Sequence, residues 1–199
     1  MNQHIAAIAE RINQLESELE SEFAKRRAEL AYTVKGRAVR FEQQVLRRHR
    51  DLKILLSRYV LGARPLLVIT APLIYSLIIP FVLLDAFVSL YQLICFPVFG
   101  IARVRRGNYL VLDRGRLVYL NAIEKINCAY CSYANGLIAY VRDVASLTEQ
   151  YWCPIKHAQR VSGAHERYRK FVDYGDAESY QGELKKLRED LRQAQDPSS

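Results

Sequence analysis

The sequence predicts a mainly α membrane protein: a long N-terminal helix or coiled coil, a proline-kinked membrane hairpin, and a small α-rich metal-binding unit with a short β-hairpin. Three observations predict it. Leu66–Phe99 carries a single charge, Asp85, in 34 residues and lies between Arg64 and Arg103. Apolar residues near the N-terminus recur every three or four positions. Three of the four cysteines and one histidine stand at metal-ligand spacing, Cys128-x2-Cys131 and Cys153-x3-His157. The expected divisions are a stalk at 1–63, a membrane hairpin at 64–102, a metal-binding unit at 103–175 and a terminal helix and tail at 176–199.

The stalk is read from Ile5, Ile8, Ile12, Leu15, Leu19 and Phe23, with Glu, Gln, Arg and Ser between them. A narrow seam of period 3.5 is the signature of a coiled coil or packed helical hairpin. It predicts a protein partner, or a second copy, along this face. Gly36 is the expected kink. Beyond it the seam loosens through Val39, Val45, Leu52, Leu55, Leu56 and Tyr59, where an amphipathic helix at the bilayer surface is the alternative to a stalk.

A helix of 34 residues would reach about 50 Å, against a hydrocarbon core of ~30 Å. Pro80 divides the run into Leu66–Ile79 and Phe81–Phe99, so the expectation is a hairpin with both termini cytoplasmic. The alternative is a single span of Ser76–Phe99 after an interfacial helix. Basic residues at both edges favour the hairpin by the positive-inside rule. Asp85 would then sit near the turn, within reach of headgroups or water. Met1–Arg11 lacks the apolar core of a signal peptide, so the apolar run itself is expected to direct targeting.

The formal net charge of +8 is concentrated beside that run. Arg47, Arg48, Arg50, Arg58 and Arg64 precede it, and Arg103, Arg105 and Arg106 follow it. Their position fits anionic lipid headgroups better than nucleic acid.

After the membrane run, Tyr109–Leu112 and Arg116–Leu120 around Asp113-Arg114-Gly115 read as a β-hairpin. Helices are expected at Asn135–Gln150, from Cys153 to about Tyr174, and at Glu178–Gln195, the last with Leu184, Leu187 and Leu191 on one stripe that could pack on the N-terminal coil. In this scheme Cys128 and Cys131 come from a tight knuckle, while Cys153 and His157 share a helix face one turn apart. Three thiolates and an imidazole describe a closed tetrahedral zinc site, with iron or an iron–sulfur cluster as the alternative occupant.

The chain contains no Ser–His–Asp constellation, no phosphate-cradling glycine loop and no nucleotide fingerprint. The expected function is therefore a membrane-anchored interaction or scaffold protein with structural zinc, rather than an enzyme. The alternatives are a redox subunit using the same four ligands, or an enzyme or transport component using Asp85 or Glu149.

Overall fold

The computed structural model describes residues 3–30, 32–35 and 38–194. The chain is mostly helical, with one two-stranded antiparallel sheet. It divides into two compact units, Met1–Gly62 with Asp113–Ile126, and Ala63–Leu112 with Asn127–Ser199.

In the first unit α1 spans Gln3–Glu29 and leaves Ile8, Leu15, Leu19 and Phe23 about half exposed along one seam. Lys25–Glu22 and Arg26–Glu29 pairs one turn apart brace its end. The helix does not run the length of the stalk expected at 1–63. Tyr32–Lys35 (β1) and Ala38–Phe41 (β2) form a hairpin instead, with Tyr32 opposite Phe41 and Thr33 opposite Arg40. Tyr, Thr, Val and Phe crowd a helix at χ1 but pack well on a pleated strand, so this stretch prefers the sheet. The Tyr32 and Phe41 rings confirm the register at 5.4 Å. Gly36, expected as a kink, lies outside the described residues. Two short helices follow, α2 (Gln43–Asp51) and α3 (Leu56–Leu61).

The second unit corrects the membrane hairpin. Helix α4 (Pro65–Ser76) passes into α5 (Ile78–Phe99) through Leu77, whose φ of −63° and ψ of −13° keep the chain running in the helical sense. Pro80 falls in the first turn of α5, where its missing N–H had no partner to lose. Pro65–Phe99 is thus one apolar rod of 35 residues with a mean hydropathy of 2.4 over its most apolar window, none of which is buried. Gly100 ends it in the left-handed region at φ 68°, which lets Ile101 N–H bond back to the Phe96 carbonyl at 2.9 Å.

Helix α6 covers Ala122–Trp152 and absorbs the Cys128–Cys131 segment. Asn121 and Glu124 start it with a reciprocal capping box, at 2.8 and 3.0 Å. Within the second unit α6 runs parallel to the rod. Tyr75 donates to Asn127, Tyr133 to Asp85, Gln92 to Tyr140, and Phe99 stacks on Tyr151. Each step along one helix is matched by a step the same way along the other. A parallel pair requires the connecting chain to travel back along it. Val104 meets Gln92, Arg106 meets Asp85, and the Tyr109 carbonyl lies on Gly136.

That return path also replaces the expected β-hairpin of 109–120. Neither Tyr109–Leu112 nor Arg116–Leu120 forms a strand. Arg106–Asn108 and Arg114–Arg116 form single 3-10 turns instead. The expected helix after Cys153 is likewise absent. Residues 153–174 are irregular, held by an Ile155–Val172 bridge and a 3-10 turn at Glu166–Lys170. Helix α7 (Ala177–Gln193) buries Leu184, Leu187 and Leu191 as its spacing implies. It packs at the end of α6, with Gln150 donating to the Leu187 carbonyl and Arg188 to that of Tyr151. The core joins Phe96, Ile101, Leu137, Tyr140, Val144, Leu147 and Leu191.

Candidate functional site

The polar chemistry of the second unit lies in the seam between α5, α6 and the returning chain. Asp85, Ser89, Gln92 and Phe96 follow one another at four, three and four residues, so they share one face of α5. That face is covered. Asp85, Gln92 and Phe96 are all buried.

Asp85 receives four donors. Arg106 gives two hydrogen bonds, Nε to Oδ1 at 2.9 Å and Nη2 to Oδ2 at 2.5 Å. The Tyr133 hydroxyl adds one at 2.9 Å and Ser89 a longer one at 3.4 Å. Two turns further along, Gln92 donates to Tyr140 Oη at 2.6 Å and to the Val104 carbonyl at 3.3 Å, while its Oε1 accepts the Val104 N–H at 3.0 Å. A side-chain amide spends itself on the backbone of the returning chain, which otherwise has no ladder to satisfy it.

The same arrangement recurs on α6 around Asp143. Tyr109 donates to Oδ2 at 2.6 Å and Arg167 to Oδ1 at 2.5 Å, and Arg167 also reaches Ser146 at 2.8 Å. Each carboxylate is thus held by one arginine and one tyrosine from another segment. Burial pushes the Tyr109 phenol up to about 12, reinforced by the bond to Asp143. Burial, and then Asp85, raises Tyr133 in the same way. Asp85 above all, and its field, hold the Arg106 guanidinium more firmly protonated than usual. Tyr109 and Tyr133 thus stay neutral and Arg106 stays charged across the physiological range. They are clamps; a proton relay needs a group that changes state.

This placement corrects two expectations. Asp85 does not sit at a hairpin turn, and Arg106 faces Asp85 instead of standing free for lipid. Arg47, Arg48, Arg50, Arg58, Arg64, Arg103 and Arg105 are in no ion pair among the described residues, and all are exposed.

The four-ligand metal site is not assembled. Cys128 and Cys131 lie one turn apart on α6, and Cys153 follows its last residue. The 21 residues of helix between Cys131 and Cys153, 22 steps of rise, hold them about 33 Å apart. The knuckle reading required a turn at Cys128–Cys131, and the capped helix of α6 leaves none. All four cysteines are free thiols, and no group of three or more His, Cys, Asp or Glu side chains is close enough to hold a metal ion among the described residues.

Glu149, the candidate base, is engaged as well. His165 Nε2 lies 2.9 Å from its Oε2, while His165 Nδ1 accepts the Tyr168 N–H at 3.1 Å. With Nδ1 accepting, Nε2 carries the proton and donates it to the carboxylate. Both ring nitrogens are occupied, so the pair ties residues 165–168 to α6 and the imidazole offers no free acceptor.

Sequence reasoning missed Arg106, Tyr133 and Tyr140 as partners of the α5 stripe. The heptad-like run of Asp85, Ser89 and Gln92 inside an apolar segment was the available signal. Comparison with protein-family models, with curated proteins and with solved structures returned no match.

Proposed function

We propose that this chain is a membrane-anchored interaction protein whose Pro65–Phe99 rod lies along one leaflet without crossing it. The observation that carries the reading is the two-sidedness of α5. Ile79, Leu83, Phe87, Leu90, Ile94 and Val98 recur every three or four residues and are all more than half exposed or nearly so, up to 78% at Val98. The opposite side is covered by α6 and the return segment.

The return segment supports lying over spanning. Arg103, Arg105 and Arg106 run back beside α5 at the level of Gln92 to Asp85, and Arg142 is exposed on α6. A rod crossing upright would carry these groups through the hydrocarbon, at roughly 2.5–3.5 kcal/mol for each unshielded charge. A rod lying in the plane keeps them at the headgroups and puts the apolar row in the acyl region. Both termini then remain on one side, and the arginines hold anionic lipid. The exposed seam of α1 supplies the interaction surface, for a second copy or a helical partner. Free thiols and separated ligand pairs leave this reading without a metal.

Tags at the two termini, tested by protease access in sealed vesicles, check it. In-plane seating requires both tags on the same face. Tags on opposite faces would replace it with a crossing.

A further inference from the structure

We propose that the first unit carries a binding cleft for a phosphorylated, hydroxyl-bearing ring, separate from the anchor. The cleft measures about 370 Å³, within the size range of small-molecule sites. It is built where the β1–β2 hairpin, α2 and residues 113–119 meet, all within that unit.

Its walls are aromatic. Tyr32 packs on Phe41, and the His49 ring stands edge-on between Phe41 at 5.5 Å and Tyr119 at 5.2 Å. Flat rings on several sides suit a base or the apolar face of a sugar or cyclitol. His49 Nδ1 is buried and has no hydrogen-bond partner, a cost that a ligand donor or acceptor would relieve. The rim carries Arg114 and Arg116, both exposed and in no ion pair among the described residues. Guanidinium groups in this setting favour phosphate, through paired N–H donors. Asp113 lines the same cleft. A carboxylate beside two arginines disfavours a bare dianion and favours a ligand that also brings hydroxyl donors, such as a ribose or an inositol ring.

The unused arginines, the orphaned imidazole nitrogen and the aromatic box each point to an occupant, and together they specify its parts. The inference does not depend on how the rod meets the bilayer.

The test uses the full chain in phosphatidylcholine nanodiscs. Adenosine 5′-monophosphate and inositol 1-phosphate are the soluble probes, read by calorimetry and by saturation-transfer NMR. Phosphatidylcholine vesicles with and without phosphatidylinositol supply the lipid arm. Saturable binding of either soluble probe is expected, weakened at least tenfold by Arg114→Ala with Arg116→Ala. Lys185→Ala with Lys186→Ala removes the same charge on α7, outside the cleft lining, and should leave it unchanged. Binding of the nucleotide alone assigns a soluble ligand. Binding of inositol phosphate together with phosphatidylinositol-dependent vesicle capture assigns a headgroup. Absence of saturable binding for both probes overturns the proposal, and so does an equal loss in the two double variants.

Discussion

Arg106 reaches across 21 residues to close on both carboxylate oxygens of Asp85, which Tyr133 approaches from α6. Three segments thus meet at one buried acid. Arg106 is about half exposed and Asp85 is not, at 48% and 12% of their side-chain surfaces, so solvent weakens the attraction and the hydrogen-bond geometry carries most of it. Arg106→Gln should destabilise the chain by about 1–2 kcal/mol, because it strips two donors from a buried carboxylate. The same change made in an Asp85→Asn background should cost clearly less, leaving a coupling of about 1 kcal/mol in a double-mutant cycle read by denaturation in detergent. Strict additivity would mean that the pair forms without contributing.

Gly136 permits the closest approach in the second unit. A Cβ there would stand 2.4 Å from the Tyr109 carbonyl oxygen, and that oxygen belongs to backbone that cannot swing away. Gly136→Ala should therefore cost about 1–3 kcal/mol in spite of the better helix propensity of alanine. It should also free the return segment, seen as faster proteolysis between Ile101 and Leu112. An alanine variant as stable as the parent would show that this segment does not press on α6.

Tyr109 gives the chain an alkaline limit. Its phenol is held up to about 12 by burial and by Asp143, while in the unfolded chain it titrates near 10. Between those values the unfolded state has lost the proton and the folded state keeps it, so the unfolded state binds fewer protons and stability falls as pH rises. The contribution is complete below about pH 10 and is lost on the way to about 12. Tyr109→Phe should remove part of that slope, so that parent and variant converge between pH 10 and 12 in thermal melts. Parallel curves over that interval would contradict the assignment.

How far the fold is legible depends on whether its determinants are local. The seam of α1 and the leucine stripe of α7 are set by periodicity within one segment and both lie on helices, whereas the apolar run is helical but continues past Pro80 where a hairpin was expected. The β1–β2 hairpin was hidden because Val39 and Val45 read as a loose continuation of the helical seam, and only the pairing of Tyr32 with Phe41 separates the two readings. The parallel course of α5 and α6 was illegible for a different reason. It rests on Gln92 serving the Val104 backbone and on Gly136 admitting Tyr109, contacts between segments far apart in sequence. The cysteine pattern misled because spacing alone cannot tell a knuckle from two turns of a continuous helix.

That geometry has a consequence for the thiols. With about 33 Å of helix between the two ends, no single ion can bind all of Cys128, Cys131, Cys153 and His157. Cys128→Ser and His157→Ala should each leave the melting temperature and the zinc content of the purified chain unchanged. One zinc per chain that disappears with either substitution would require α6 to be broken between Cys131 and Cys153.

The seam of α1 leaves Leu15 and Leu19 about half exposed, between two other apolar residues of the same face, Ile8 and Phe23. Acidic residues surround that face, at Glu16, Glu18, Glu20 and Glu22, with Lys25, Arg26 and Arg27 at the far end. Covering a leucine fully stabilises by about 1.5–3 kcal/mol, so pairing two such helices through this seam offsets the cost of association only if the central leucines are both buried. Leu15→Glu with Leu19→Glu should therefore weaken self-association at least hundredfold, measured by sedimentation of the full chain in detergent. Ser17→Glu places a new charge on the opposite side of the helix and should leave association intact. Equal loss in both variants would trace assembly to net charge, and no loss in either would place the contact away from α1.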